Sequence, residues 1–161
     1  MVLNQIQQWQ LTGKIGVQTP ENAGSATLNW VESQQHHYTL SLVGPLGAGG
    51  VTLTGQPGLV TMDTADGKHY TAQTPEQLLT EQIGWDLPVS YLYYWIRGLP
   101  VPDLPSQTQF DTSHRLTWLV QQHIQVHYLS YTHVGMIDLP NKIFITSPLV
   151  KIKIIIYNWK L

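Results

Sequence analysis

Apolar and polar residues alternate with a period of two along most of this chain, and the alternation gives way once to helical spacing. Trp9, Leu11, Ile15 and Val17 share one parity, with Gly13 between them; after a turn over Pro20 to Gly24, Ala26, Leu28 and Trp30 resume it. Tyr38, Leu40 and Leu42 alternate with Thr39 and Ser41, and Val51 and Leu53 with Thr52 and Thr54. This is the pattern of half-buried antiparallel strands joined in hairpin order. Pro57-Gly58 marks a further turn, Leu59 to Met62 predicts a strand, and Asp66-Gly67 is a hairpin signal that returns the chain through His69 to Ala72. Residues 3 to 8 have only Leu3 and Ile6 on one side and suggest the tail of a helix.

At Thr74 the period changes. Thr74-Pro75-Glu76-Gln77 combines an N-cap threonine, a proline at the first helical position and a glutamine where a capping box places one, and Leu78, Leu79 and Ile83 then form a stripe that stops at Gly84. A helix over 75–83 is expected. Pro88 opens a second helix, over 88–97, in which Val89, Leu92, Tyr93 and Ile96 follow helical spacing beside Trp95, with Gly98 and Pro100 as stops. The proline-containing stretch 98–109 predicts an extended connection back to the sheet. Beyond it, Leu116, Trp118 and Val120 alternate, Gln121-Gln122-His123 predicts a turn, Ile124, Val126 and Tyr128 alternate, Ile143 and Ile145 predict a short strand, and residues 150–159 form a last strand with Lys151 and Lys153 on a solvent face. Ten or eleven strands with two helices inserted after the sixth make a mainly β meander.

Between the third and fourth strands lies Gly44-Pro45-Leu46-Gly47-Ala48-Gly49-Gly50, which carries one large apolar side chain on a glycine-rich turn. From the residues alone, Leu46 either folds back to cap the core or stands exposed. The meander itself also leaves two possibilities. Two short helices cover an apolar sheet face less tightly than a second sheet would, so the interior is either fully packed or keeps a hydrophobic cavity under a helical lid.

The 161 residues fit a single domain over 1–161. Only 11% are charged, the formal net charge is -2 and the eight basic residues are scattered, so nothing marks a nucleic-acid partner. There is no cysteine, which excludes disulfides, thiolate metal sites and a cysteine nucleophile within the chain. No run approaches the roughly 20 apolar residues that span a bilayer, and a basic, apolar, small-residue leader is not seen at Met1. His123 and His127 have no carboxylate at the spacing of a zinc-protease helix, no phosphate-binding glycine loop is complete, and no Gly-x-Ser-x-Gly elbow occurs. Neither a cofactor nor a metal is expected, and a hydrolytic enzyme is the weakest of the readings.

Several short motifs, in order, give the chain a familiar outline: Gly44-Pro45-Leu46-Gly47, Gln56-Pro57-Gly58, Asp66-Gly67-Lys68 leading to Tyr70-Thr71-Ala72, Trp95-Ile96-Arg97-Gly98-Leu99-Pro100, and Asn158-Trp159. From about Trp9 to Trp159 the chain resembles the LolB family of outer-membrane lipoprotein receptors. The resemblance implies an unclosed antiparallel barrel of eleven strands with helices over a cavity for acyl chains, a fold shared with LolA, the soluble periplasmic carrier. It implies a protein, expected as a monomer, that takes lipoproteins from that carrier and inserts them into the inner leaflet of the outer membrane without nucleotide hydrolysis. The alternative is a soluble carrier or lipid-binding module of the same fold. Leu46, with Gly44, Pro45 and Gly47, matches the family's exposed leucine on a membrane-insertion loop, which favours the exposed reading. The expected acyl-chain lining is the inward parity Ile15, Val17, Ala26, Leu28, Trp30, Leu40 and Leu42, with lid residues Leu79, Leu92, Trp95 and Ile96. The family is anchored through a lipid on an N-terminal cysteine. This chain starts Met1-Val2-Leu3, so the resemblance implies a soluble form lacking its anchor and the beginning of its first helix.

Overall fold

A computed structural model describes residues 3–34, 36–44 and 49–161, apart from the side chain of Asn4. A short 3-10 turn (Leu3–Gln5) stands where the tail of a helix is expected. It leads into β1 (Trp9–Gln18), β2 (Ala23–Gln34), β3 (His37–Val43), β4 (Gly50–Gln56), β5 (Leu59–Thr64) and β6 (His69–Ala72). Helices α1 (Pro75–Ile83) and α2 (Val89–Trp95) follow, and then β7 (Gln107–Phe110), β8 (Leu116–Gln121), β9 (Ile124–Val134), β10 (Ile137–Thr146) and β11 (Lys151–Lys160). The eleven strands form one antiparallel sheet in the order β6-β5-β4-β3-β2-β1-β11-β10-β9-β8-β7. The first and last strands thus pair at its centre, while β6 and β7, joined through the helices, are its free edges.

The alternation predicted from sequence sets the concave face. Residues opposite one another in the ladder run Trp159, Leu11, Trp30, Leu40, Leu53, Met62 across six neighbouring strands, and every one is buried. A second row runs Leu119, Val126, Ile145, Ile152, Val17. Because a strand's side chains repeat every two residues, each row commits its strands to one face, and a slip of one residue would turn the whole set to solvent. At Gly13 the β1–β11 register shifts, and a Cβ there would lie 2.2 Å from the Ile155 carbonyl oxygen, so glycine lets the two strands meet at this irregularity.

The helices cover this face. Thr74 caps α1 by accepting a hydrogen bond from the Gln77 amide at 3.3 Å, and Gly84 ends it in the left-handed conformation at φ 71°. Leu78 and Leu79 of α1 and Leu92, Trp95 and Ile96 at α2 are buried in one apolar cluster with the strands. Polar bonds fasten the end of α2 to the far half of the sheet. The buried Gln121 side chain accepts hydrogen bonds from Trp95 Nε1 at 2.9 Å and the Val101 amide at 2.8 Å, and donates to the Val101 carbonyl at 2.9 Å. The Tyr128 hydroxyl donates to the Trp95 carbonyl at 2.6 Å.

Three expectations need correction. The connection 98–109 ends in strand β7, whose four residues are all exposed and so carry no alternation to read. In β8 the inward residues are Leu116, Leu119 and Gln121, not Leu116, Trp118 and Val120, because the β7–β8 register shifts opposite Thr117 and exchanges the faces beyond it. The short strand at Ile143 and Ile145 belongs to a ten-residue β10 that runs through Pro140, where an irregular register with β9 accommodates a residue lacking an N–H.

Replacing Gln121 with leucine should loosen the lid. It leaves the Trp95 indole N–H and both backbone groups of Val101 without partners, each at a cost of about 1–3 kcal/mol if it stays dry. Chemical denaturation of Gln121→Leu should show a loss of at least about 2 kcal/mol, whereas an unchanged midpoint would mean that these groups reach water and that the bonds do not hold the lid.

Candidate functional site

The size of the inward residues changes from one end of the concave face to the other. At the end holding the β2–β3 and β4–β5 turns the interior is filled by large rings: Trp9 lies 5.1 Å from Trp30, 5.6 Å from Trp159 and 6.3 Å from Tyr93 between ring centroids. At the opposite rim the inward positions of β2 are small, Gly24 and Ala26. Beside these small positions a cleft of about 860 Å³ remains between the covering segment and the sheet. This lies within the roughly 300–1,000 Å³ of small-molecule sites. Ala26, Leu42, Val51, Ile83 and Trp85 give its apolar walls, and Gly44, Gly49 and Asp66 stand at its border. Trp85, directly after the α1 cap, lies over β2: a Cβ on Gly24 would come within 3.0 Å of its ring, so the glycine lets the indole close against the strand.

All eleven expected lining residues, Ile15, Val17, Ala26, Leu28, Trp30, Leu40, Leu42, Leu79, Leu92, Trp95 and Ile96, lie in a single buried cluster. Only Ala26 and Leu42 among them face the open cleft. The other nine are buried in that cluster, and Trp30 also borders a smaller hollow of about 230 Å³ beside Val60, Val89 and Tyr93 at the ring-lined end. Gly44 sits at the cleft border, while Pro45, Leu46 and Gly47 lie outside the described residues. Sequence reasoning missed Trp85, Gly24 and Val51 as cleft residues; the signal for Trp85 was an indole standing in a connection immediately beyond a helix cap.

The filled end contains the buried charges. Arg97, from the Trp95-Ile96-Arg97-Gly98 motif, donates from Nε to the Tyr93 carbonyl at 3.0 Å and from Nη1 to the Ile6 carbonyl at 3.1 Å. Its guanidinium lies 4.4 Å from the centre of the Tyr93 ring. The residue therefore ties the end of α2 to the segment preceding β1. Glu32 faces inward on β2 and accepts a hydrogen bond from Trp30 Nε1 at 3.3 Å. Burial raises its carboxyl from the ordinary 4.5 to about 7, against the opposing pull of the Trp30 hydrogen bond, the His36 and His37 amides and the Arg97 charge. His36, turned into the left-handed region at φ 60°, stacks 4.7 Å from Tyr93, and burial lowers its pKa.

An open antiparallel half-barrel, apolar on its concave side, roofed by two helices and cleft at one rim, defines a protein built to shelter hydrophobic chains. Two solved structures share the architecture: a LolA superfamily protein from Nitrosomonas europaea, with a TM-score of 0.61 at 9% identity over 96% of this chain and 86% of that one, and a DUF1329 family protein from Desulfovibrio piger, with a TM-score of 0.60 at 7% identity over 98% and 87%. Residues 7–159 match the family described as outer membrane lipoprotein LolB. The outer-membrane lipoprotein LolB of Pseudomonas putida (strain GB-1) is 41% identical over 158 residues, 98% of this chain and 77% of its own. That of Pseudomonas fluorescens (strain Pf0-1) is 43% identical over 152 residues, 94% and 74%. The chain belongs to the LolB family.

The raised carboxyl predicts a pH dependence. The folded protein holds the Glu32 proton up to about pH 7, whereas the unfolded chain releases it near its ordinary 4.5. This contribution to stability is therefore complete below about 4.5, declines as pH rises toward 7, and is flat above. Glu32→Gln keeps an oxygen for Trp30 and removes the titration. Its denaturation midpoint should lack that decline, and a slope equal to that of the parent protein would assign the titration elsewhere.

Proposed function

We infer that the protein receives acylated proteins from a LolA-like periplasmic carrier and delivers them into the inner leaflet of the outer membrane, at whose periplasmic face it works, with no catalytic step and no nucleotide hydrolysis. The observation that carries the reading is the apolar interior opening as a cleft at one rim, in a chain of the LolB family. Each methylene moved out of water is worth about 0.8 kcal/mol, so a multiply acylated cargo needs an apolar host throughout its passage.

The cleft is the entrance, with Ala26, Leu42, Val51, Ile83 and Trp85 meeting the first part of an acyl chain. Deeper chains take the place of the lid side chains Leu79, Leu92, Trp95 and Ile96 against Ile15, Val17, Leu28, Trp30 and Leu40. Each displaced lid contact offsets part of the gain from burying the cargo, which keeps affinity moderate and lets the bilayer take the chains. Leu46 acts as the membrane probe. The β3–β4 connection leaves and rejoins the sheet at the cleft rim, where the Gly44 amide donates to the Gly49 carbonyl at 3.1 Å. A leucine entering the acyl boundary contributes roughly 1.5–3 kcal/mol, enough to bias a docking event and too little to anchor a protein.

Two variants separate receipt from delivery. Ile83→Asn, at a half-exposed position on the cleft wall, should weaken binding of a fluorescent acylated peptide roughly tenfold with little change in melting temperature. Leu46→Glu should accept cargo from the carrier at the parental rate while insertion into liposomes falls by an order of magnitude or more. Parental peptide binding by Ile83→Asn would remove the cleft from the cargo path, and parental insertion by Leu46→Glu would end the probe assignment.

A further inference from the structure

The strand directions place the β1–β2, β3–β4, β5–β6, β8–β9 and β10–β11 connections on one rim, the rim at which the cleft opens. The β10–β11 connection is a tight turn. The Ser147 amide donates to the Val150 carbonyl at 2.8 Å, and the Val150 amide donates to Ser147 Oγ at 3.1 Å. This closure buries Val150 and leaves Pro148 and Leu149 outside, Leu149 with 64% of its surface exposed. An aliphatic side chain is thus held outward by bonds that fix its backbone, where a polar residue would serve the turn equally well.

The chain then enters β11, whose outward residues begin with Lys151 and Lys153. Beside them, at the rim ends of β1, β10 and β11, lies a shallow hollow of about 360 Å³ bordered by the outward Gly16, Gln18, Phe144 and Thr146 and reaching the inward Val17, Gly24, Ile145 and Ile152. A Cβ on Gly16 would meet nothing within 4 Å, so the glycine keeps the hollow open beside Lys153. Lys153 Nζ rests 5.3 Å from the Phe144 ring centre. Among the described residues neither lysine takes part in an ion pair, whereas Lys68 on the same rim is paired with Asp66 at 3.7 Å. Neither β1 nor β11 contains an acidic residue.

We propose that the Pro148-Leu149 turn and the Lys151–Lys153 hollow form a second membrane contact, in which Leu149 enters the acyl boundary and the lysines take the phosphates of anionic phospholipid. The proposal deepens the delivery reading and rests on it. An acidic protein face would satisfy the lysines but would leave an isolated, outward-held leucine without a role. A phospholipid surface matches both, with apolar chains beneath a layer of phosphate, and a headgroup contact of this kind contributes about a fivefold change in binding per lysine. The contact stands three strands from β3 in the sheet order, so together with the β3–β4 connection it would present the cleft mouth to the bilayer at two points and fix its tilt.

Because the chain has no cysteine, one can be placed at will. Leu149→Cys, labelled with an environment-sensitive fluorophore, should shift to the blue on addition of phosphatidylethanolamine vesicles containing phosphatidylglycerol. The same label at Met136→Cys, on the exposed β9–β10 turn at the opposite end, should not shift. Adding Lys151→Gln and Lys153→Gln should raise the lipid concentration at the midpoint roughly fivefold for each. In the unlabelled protein, Leu149→Glu should slow cargo delivery to the vesicles at least tenfold while acylated-peptide binding stays parental. An unshifted label at 149, an equal shift at 136, or parental delivery by Leu149→Glu would each overturn the proposal. So would a label at 149 that responds to the carrier and not to vesicles, since the rim would then be a protein-docking surface. Failure of the parent protein to bind acylated peptide would instead strike the cargo reading, whatever the label reports.

Discussion

An antiparallel sheet that curls without closing has to bury one apolar face against something other than itself, and the rest of this structure depends on how that face is covered. The rows from Trp159 to Met62 and from Leu119 to Val17 give the sheet a dry interior, and the α1–α2 segment supplies the only partner large enough to cover it among the described elements. The contact is apolar and therefore non-directional. Such a contact accepts any hydrocarbon in place of the lid's own side chains, which is the property an acyl-chain host requires.

Directional bonds then decide where the cover can yield. The end of α2 is fastened to β8 and β9 through Gln121 and Tyr128, and to the segment before β1 through Arg97. At the other rim Trp85 closes over Gly24 by ring contact, with small residues beneath it. Large rings at the fastened end and glycine or alanine at the loose end set the direction of access, so the cleft, the β3–β4 connection and the exposed Leu149 turn all fall on one side of the molecule.

Much of this was legible in the sequence because burial and alternation coincide in β1 to β4, where the inward residues are those of the apolar parity. The α1 boundaries were equally plain, since the Thr74 hydroxyl caps its start and the lack of a side chain lets Gly84 take the left-handed conformation that ends it. Legibility failed where the sheet departs from regular pairing. The register shift opposite Thr117 exchanged the faces of β8, Pro140 hid the first half of β10, and the exposed β7 offered no pattern at all. The site was half legible for a related reason. Parity identified the residues that face inward, but whether they meet a lid or a cleft depends on the size of residues opposite, and Trp85 over Gly24 joins positions that no local pattern connects.

The central claim is that acyl chains and lid side chains compete for one apolar face, and hydrogen exchange reads it directly. When an acylated peptide is bound, amides in 75–97 should exchange faster than in the empty protein, while those at the centre of the sheet in β1, β2 and β11 keep their protection. Slower exchange in the helices, or no change there with the peptide bound, would mean that the cargo sits outside a lid that never gives way, and would contradict the account.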